Sequence, residues 1–221
     1  MTETPIDAAF AIAWMNAAAA ALADACPRLT ELDAARGDAD HGVNMQQGFA
    51  AIAEQLGANP PGTVGEALIA GSNTLRRAMG GTSGPLWSAA LRRAGKALAV
   101  ADPAPATALA DALAAAAAAV TELGGAAEGD NTMLDALLPA ARALKQQLES
   151  DVPLPQAAQA ASDAAEAGAL ATAQRVAAKG RASYLGERGL GNPDPGATSA
   201  AIIVRSLVDA LAPRSVVHAV E

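Results

Sequence analysis

Large apolar side chains recur at three- and four-residue steps along nearly the whole chain, the spacing that gives an α-helix one buried face. Phe10, Trp14, Ala18, Leu22, Ala25, Leu29 and Leu32 mark a first long helix. Met45, Phe49, Ile52 and Leu56 mark a second, and Val64, Leu68, Leu75 and Met79 a third. A fourth begins near Pro85 with Leu86, Leu91, Ala94 and Leu98, and a fifth carries Leu109, Leu113, Val120 and Leu123. Met133, Leu137, Ala141, Leu144 and Leu148 form the clearest later stripe; an Ala-rich helix follows from about Leu154 to Lys179, and a last one from about Ala197 to Leu211. The pattern predicts eight helices in an all-α fold.

Composition points the same way. The chain is 52% hydrophobic, mostly through Ala, the strongest helix former, whereas β-branched and aromatic residues are too sparse to face a large sheet. Pro and Gly fall between the stripes, as in Asn59-Pro60-Pro61-Gly62 and Ala101-Asp102-Pro103, so short connections favour antiparallel neighbours in one bundle. Val152-Pro153-Leu154-Pro155 is the one candidate boundary, but each side would then have a thin core; residues 1–221 are expected to form a single domain.

A formal net charge of -8 argues against a general nucleic-acid surface, which needs basic residues to neutralise phosphates. It leaves room for a small anionic ligand held by metal ions, backbone amides and a few local cations. The N-terminus lacks the basic start of a secretory signal, and Asp, Pro and Gly interrupt the Ala runs, so a soluble cytoplasmic protein without a membrane partner is expected. Cys26 is the only cysteine, which excludes an internal disulfide.

The strongest chemical signal is the loop Asp33-Ala34-Ala35-Arg36-Gly37-Asp38-Ala39-Asp40-His41-Gly42. Asp33, Asp38 and Asp40 offer hard oxygen ligands of the kind Mg2+ prefers, and Gly37 and Gly42 allow the chain to turn so that they converge. The plainer alternative is that Asp33 ends in solvent, Asp38 makes an Asx-turn and Asp40 caps the next helix. His41 either contacts a ligand or is an ordinary loop histidine, and Asn44 follows at helical spacing.

Three further loops carry polar groups. In Gly80-Gly81-Thr82-Ser83-Gly84-Pro85 the amides, the Thr82 and Ser83 hydroxyls and the following helix N-terminus suit a phosphate, although the Lys of a Walker loop is missing. Gly129, Thr132 and Met133 in Glu128-Gly129-Asp130-Asn131-Thr132-Met133 offer a flexible backbone, a hydroxyl and an apolar surface; Met133 also continues a core stripe. In the segment from Gly180 to Thr198, Arg181 can neutralise phosphate and Asp194 before Pro195 is a good N-cap.

Taken in order, GDADHGVNM, GGTSGP, GDNTM and GRASYLGERGLGNPDPGATS resemble the L subunit of dihydroxyacetone kinase over almost the whole chain. The resemblance implies an eight-helix antiparallel barrel or bundle with a nucleotide site at one end. It implies that Asp33, Asp38 and Asp40 hold two Mg2+ ions against ADP or ATP, with His41, Asn44, Thr82, Ser83 and Arg181 around the phosphates. Gly129, Thr132 and Met133 would lie on the adenosine side, and Asp194 would help close the site. Thr82 and Asn131 are departures from residues common in relatives. Phosphoryl transfer to dihydroxyacetone or a related small hydroxy-ketone is implied, with Asp33, Asp38, Asp40, His41 and Arg181 as catalytic residues and the chain counted as a kinase. The substrate would be held by a separate K subunit, so His41 is not its covalent anchor. ADP would either be rephosphorylated in place by a phosphohistidine protein, the M subunit, or be replaced by exchangeable ATP. A non-enzymatic regulatory adaptor that binds Mg-nucleotide is the second reading.

Overall fold

The computed structural model describes residues 5–212. It is all-α: α1 (Ala8–Ala34), α2 (His41–Ala58), α3 (Val64–Ala78), α4 (Ser83–Leu98), α5 (Ala106–Gly124), α6 (Leu134–Glu149), α7 (Leu154–Ala171) and α8 (Pro195–Leu211). Two 3₁₀ segments, Thr172–Gln174 and Arg181–Gly189, lie between α7 and α8, so the helical segments outnumber the eight expected. Among the described residues the only β pairing is an isolated antiparallel bridge between Ile6 and Ala104.

Local chemistry sets several helix ends. The Asp7 carboxylate accepts from the Phe10 amide at 2.9 Å to start α1, and the Thr63 hydroxyl accepts from Glu66 at 3.2 Å to start α3. Gly125, at φ 60°, ends α5 in the left-handed conformation that helix C-termini favour. The expected seventh helix stops at Ala171 instead of Lys179: Arg175 is extended, and the Asn131 side chain takes the Thr172 and Arg175 carbonyls at 3.0 and 2.7 Å. A side chain from a distant loop has replaced the helical hydrogen bonds.

Each helix packs on the next, and α8 packs back on α1, which closes the bundle around one apolar core. Phe49 and Trp87 meet edge to face at 6.0 Å, and the Trp14 indole N–H donates to the Ile203 carbonyl at 3.0 Å. A fully buried Leu of the kind seen at positions 22, 29, 56, 68 and 75 contributes roughly 1.5–3 kcal/mol. Leu123, expected on a buried face, is 56% exposed at the end of α5. By length and composition alone, α1 and α5 are apolar enough to cross a membrane, although the interrupted Ala runs suggested otherwise. Both contribute a buried face to the common core.

Candidate functional site

The odd and even helices meet one end of the bundle differently. The last turns of α1 and α5 reach a cleft there, together with the first turns of α2, α4 and α8 and the residues that lead into α6. Partial positive charge at helix N-termini therefore gathers around the cleft, whose volume is about 380 Å³. Asp33, Asp38, Asp40, His41, Thr82, Ser83, Thr132, Met133, Arg181 and Asp194 all line it. Asn44 and Gly129 do not: the Asn44 amide lies beside Gly81 at the rim, and the Gly129 amide donates to the Asp135 carboxylate at 2.8 Å.

Asp33 does not end in solvent. It is buried in the last turn of α1, and its Oδ2 accepts the Asp40 and His41 amides at 2.9 and 3.1 Å. Those bonds fold the loop back so that carboxylate oxygens of Asp33, Asp38 and Asp40 lie within 4.8 Å of one another. Asp40 occupies the N-cap position of α2, yet its side chain makes no capping bond. Asp38 pairs with Arg181 at 3.0 Å. The capping of α2 expected from Asp40 is thus made by Asp33 instead. The all-oxygen donor set of the three carboxylates fits a hard divalent cation such as Mg2+.

The loop turns at a different residue than expected. Ala39, at φ 62°, takes the left-handed conformation, whereas Gly42 is required for close approach: a Cβ there would lie 2.3 Å from the Cys26 carbonyl oxygen and from the Thr30 hydroxyl. Gly81, at φ 65°, turns the second loop toward Asp40 and Asn44. A Cβ on Gly81 would stand 3.6 Å from the Asn44 amide and 3.9 Å from Asp40 Oδ2.

His41 bridges two hydroxyls, with Ser199 2.9 Å from Nε2 and Ser83 3.2 Å from Nδ1. Burial pushes its pKa below the ordinary value, while Asp33 and Asp40 oppose that shift. A neutral ring with one donor and one acceptor fits this arrangement. Asp194 caps α8 by accepting the Ala197 amide at 2.7 Å, and its own amide donates to the Thr172 hydroxyl at 2.7 Å. Desolvation raises the Asp194 carboxyl to about 7, against the lowering effects of the Ala197 bond and Arg36.

Several contributors escaped sequence reasoning. Arg36 is 2% exposed, lines the cleft and donates twice to the Gly189 carbonyl, at 3.0 and 2.8 Å. Burial lowers its pKa, opposed by Asp194 4.0 Å away. Lys179 also lines the cleft. Asp135, buried at the start of α6, receives the Gly129 and Thr132 amides and the Arg175 guanidinium, so it builds the loop that carries Thr132. The Thr132-x-x-Asp135 spacing, that of a capping box, was the available signal.

The DAK2 domain model matches residues 35–209, which include every one of these cleft residues except Asp33. The chain belongs to the DhaL/DAK2 family. It is 40% identical to the PEP-dependent dihydroxyacetone kinase ADP-binding subunit DhaL of Escherichia coli over 81% of this chain and 85% of that protein. It is also 39% identical to the D-erythrulose kinase of Mycolicibacterium smegmatis, over 88% of this chain but 34% of the kinase. The dihydroxyacetone kinase of C. freundii, solved in complex with AMP-PNP and Mg2+, superposes with a TM-score of 0.72 at 31% identity; the alignment covers 94% of this chain and 35% of that one.

Those relatives correct one expectation, that this chain is the kinase subunit that itself transfers the phosphate. DhaL of E. coli, and two DhaL proteins of Listeria innocua matched over 96% and 98% of their lengths, are named ADP-binding subunits. The erythrulose kinase and the C. freundii enzyme are about three times as long as the segment this chain matches.

Proposed function

We propose that this chain is the nucleotide-holding subunit of a kinase system for dihydroxyacetone or a related small hydroxy-ketone. It carries Mg-ADP or Mg-ATP to a separate K subunit that binds the substrate. In phosphotransferase-dependent systems a phosphohistidine M subunit would recharge the bound ADP. The role is that of a binding component, nearer to the adaptor reading than to a self-sufficient enzyme. We take residues 1–221 as one domain, with the closed ring of helices as the antiparallel barrel of the family.

The observation that carries the proposal is the convergence of three carboxylates on one end of the bundle, opposite helix N-termini and beside a cleft of about 380 Å³. Asp33, Asp38 and Asp40 would hold Mg2+, whose charge offsets both their own repulsion and that of the phosphates. Thr82, Ser83 and the amides around Gly81 would meet phosphate oxygens at the start of α4, with Asn44 and His41 behind them. Arg181 would exchange its pairing with Asp38 for a phosphate. Thr132 and Met133 would face the adenosine, with Gly129 shaping their loop, and Asp194 would close the wall beside α8.

Titration calorimetry with ADP, with and without Mg2+, tests this reading. Wild type should bind ADP only with the metal, and Asp40→Asn should lose binding while its circular dichroism stays helical. Equal ADP affinity in EDTA and in Mg2+, or an Asp40→Asn protein that binds as wild type does, would overturn it.

A further inference from the structure

The 3₁₀ segment Arg181–Gly189 is fastened at both ends to the loop that carries the carboxylates. At its first residue, Arg181 pairs with Asp38 at 3.0 Å, but the arginine side chain is 70% exposed. At its last residue, the Gly189 carbonyl accepts both Nε and Nη2 of Arg36, whose side chain is 1% exposed. Asp38 and Arg36 are two positions apart, so a strap of nine residues begins and ends on one short loop. Gly186 within the strap and Gly180 and Gly191 beside it have positive φ, and Tyr184 near its middle is 86% exposed. Ala182 near its start is buried, and two residues past its end the Gly191 amide donates to the Ala173 carbonyl at 2.8 Å.

The attachments differ in strength. An exposed ion pair is worth little, whereas a buried guanidinium with two bonds to one carbonyl is a charge-assisted, geometrically fixed contact. The third nitrogen, Nη1, has no hydrogen-bond partner; it lies 4.0 Å from Asp194, the cap of α8. Arg36 is thus the point where the carboxylate loop, the strap and the α8 N-terminus meet. If Mg2+ and a phosphate take Asp38 and Arg181, the first attachment is given up and the second remains.

We infer that Arg36 is a positioning residue: through Gly189 it holds the strap over the cleft and so sets how long a bound nucleotide stays. The nucleotide half of this inference rests on the function proposed above; the fastening of the strap does not. Limited trypsin digestion of the ligand-free protein reads the fastening directly, because Arg188 lies beside Gly189. Cleavage after Arg188 should run about tenfold faster in Arg36→Met than in wild type, as expected for losing a hydrogen bond to a charged group. Arg36→Lys, whose ammonium can reach the same carbonyl with one donor, should recover much of the protection.

Release of ADP, measured by chase in Mg2+, should likewise quicken about tenfold in Arg36→Met while the association rate stays within about twofold, a split that general destabilisation does not produce. Wild-type cleavage and release rates in a folded Arg36→Met protein would overturn the inference. If that variant does not fold, hydrogen exchange in wild type decides: the Leu190 amide, in the peptide group whose carbonyl Arg36 holds, should exchange more slowly than that of Ser183, which closes a turn of the same kind at the other end, and equally rapid exchange would refute the clasp. Failure of wild type to bind ADP with Mg2+ would sink the proposed function and the retention half, leaving the digestion to judge the fastening.

Discussion

Replacing Asp38 by Asn should make the metal-free protein more stable while it destroys metal-dependent nucleotide binding. The three carboxylates hold oxygens at most 4.8 Å apart, and two unit charges at that distance repel by about 0.9 kcal/mol even at the dielectric of water. Asp38 takes part in two such pairs, so neutralising it removes about 2 kcal/mol of repulsion; the exposed pairing with Arg181 returns about 0.5 kcal/mol of that. Allowing for screening, a gain of about 1 kcal/mol remains at low ionic strength, which for a chain of this size is a rise of about 2–4 °C in Tm. Thermal melts in EDTA, at low salt and again in strong salt, measure it. The gain should shrink as salt rises, and the Tm increase that Mg2+ and ADP give wild type should vanish in the variant. An Asp38→Asn protein that melts lower than wild type in EDTA, or that still gains stability from Mg-ADP, would refute the claim that the loop stores repulsion for a cation to relieve.

Other perturbations test separate parts of the site. Asp194→Asn probes the buried carboxyl. Because its folded pKa is raised to about 7 from 3.8, the folded state keeps a proton that the unfolded chain gives up, so its charge costs nothing below pH 4 and progressively more up to pH 7. Urea unfolding at pH 4.5 and 8 should therefore show wild type losing stability relative to the variant as pH rises, with about 4 kcal/mol as the ceiling set by three pKa units; a difference independent of pH would contradict this. Gly42→Ala forces a methyl to within 2.3 Å of the Cys26 carbonyl and should cost about 3 kcal/mol or more by chemical denaturation. Ala39→Gly relieves a left-handed alanine and should raise stability by about 0.5 kcal/mol, net of the added chain entropy; a loss would mean that the φ of 62° carries no strain.

The helices were legible because apolar spacing is a local property, and residues such as Phe49, Leu68 and Leu144 are buried as their stripes require. The seventh helix was overextended because its stop comes from Asn131, some forty residues away in sequence, whose amide captures the Thr172 and Arg175 carbonyls. At the site, Asp33, Asp38 and Asp40 could be picked out because hard-ligand chemistry is written in residue type, and the structure brings them together. Gly129 was chosen for chain flexibility near a ligand, but its amide is consumed by Asp135. Arg36 was invisible for the opposite reason: within the loop it reads as one solvated cation among acids, and only folding brings Gly189 to it across 153 residues.

An acidic chain with a candidate site for a polyphosphate poses an electrostatic problem that the arrangement of the bundle addresses. Three clustered aspartates would repel phosphate, and cations aligned along the cleft would have to be numerous to prevail. Instead the chain turns the N-termini of α2, α4 and α8 toward one cleft, where the helix dipoles offer partial positive charge without any net charge. Among the described residues only Arg36, Lys179 and Arg181 add full positive charges there, and Arg36 is already committed to Gly189. On the proposed reading, then, neither the carboxylates nor the phosphates can be satisfied alone, and a divalent cation is the part that makes each acceptable to the other. Metal and nucleotide should consequently bind with strong mutual dependence, because each supplies the charge that the other's half of the cleft lacks.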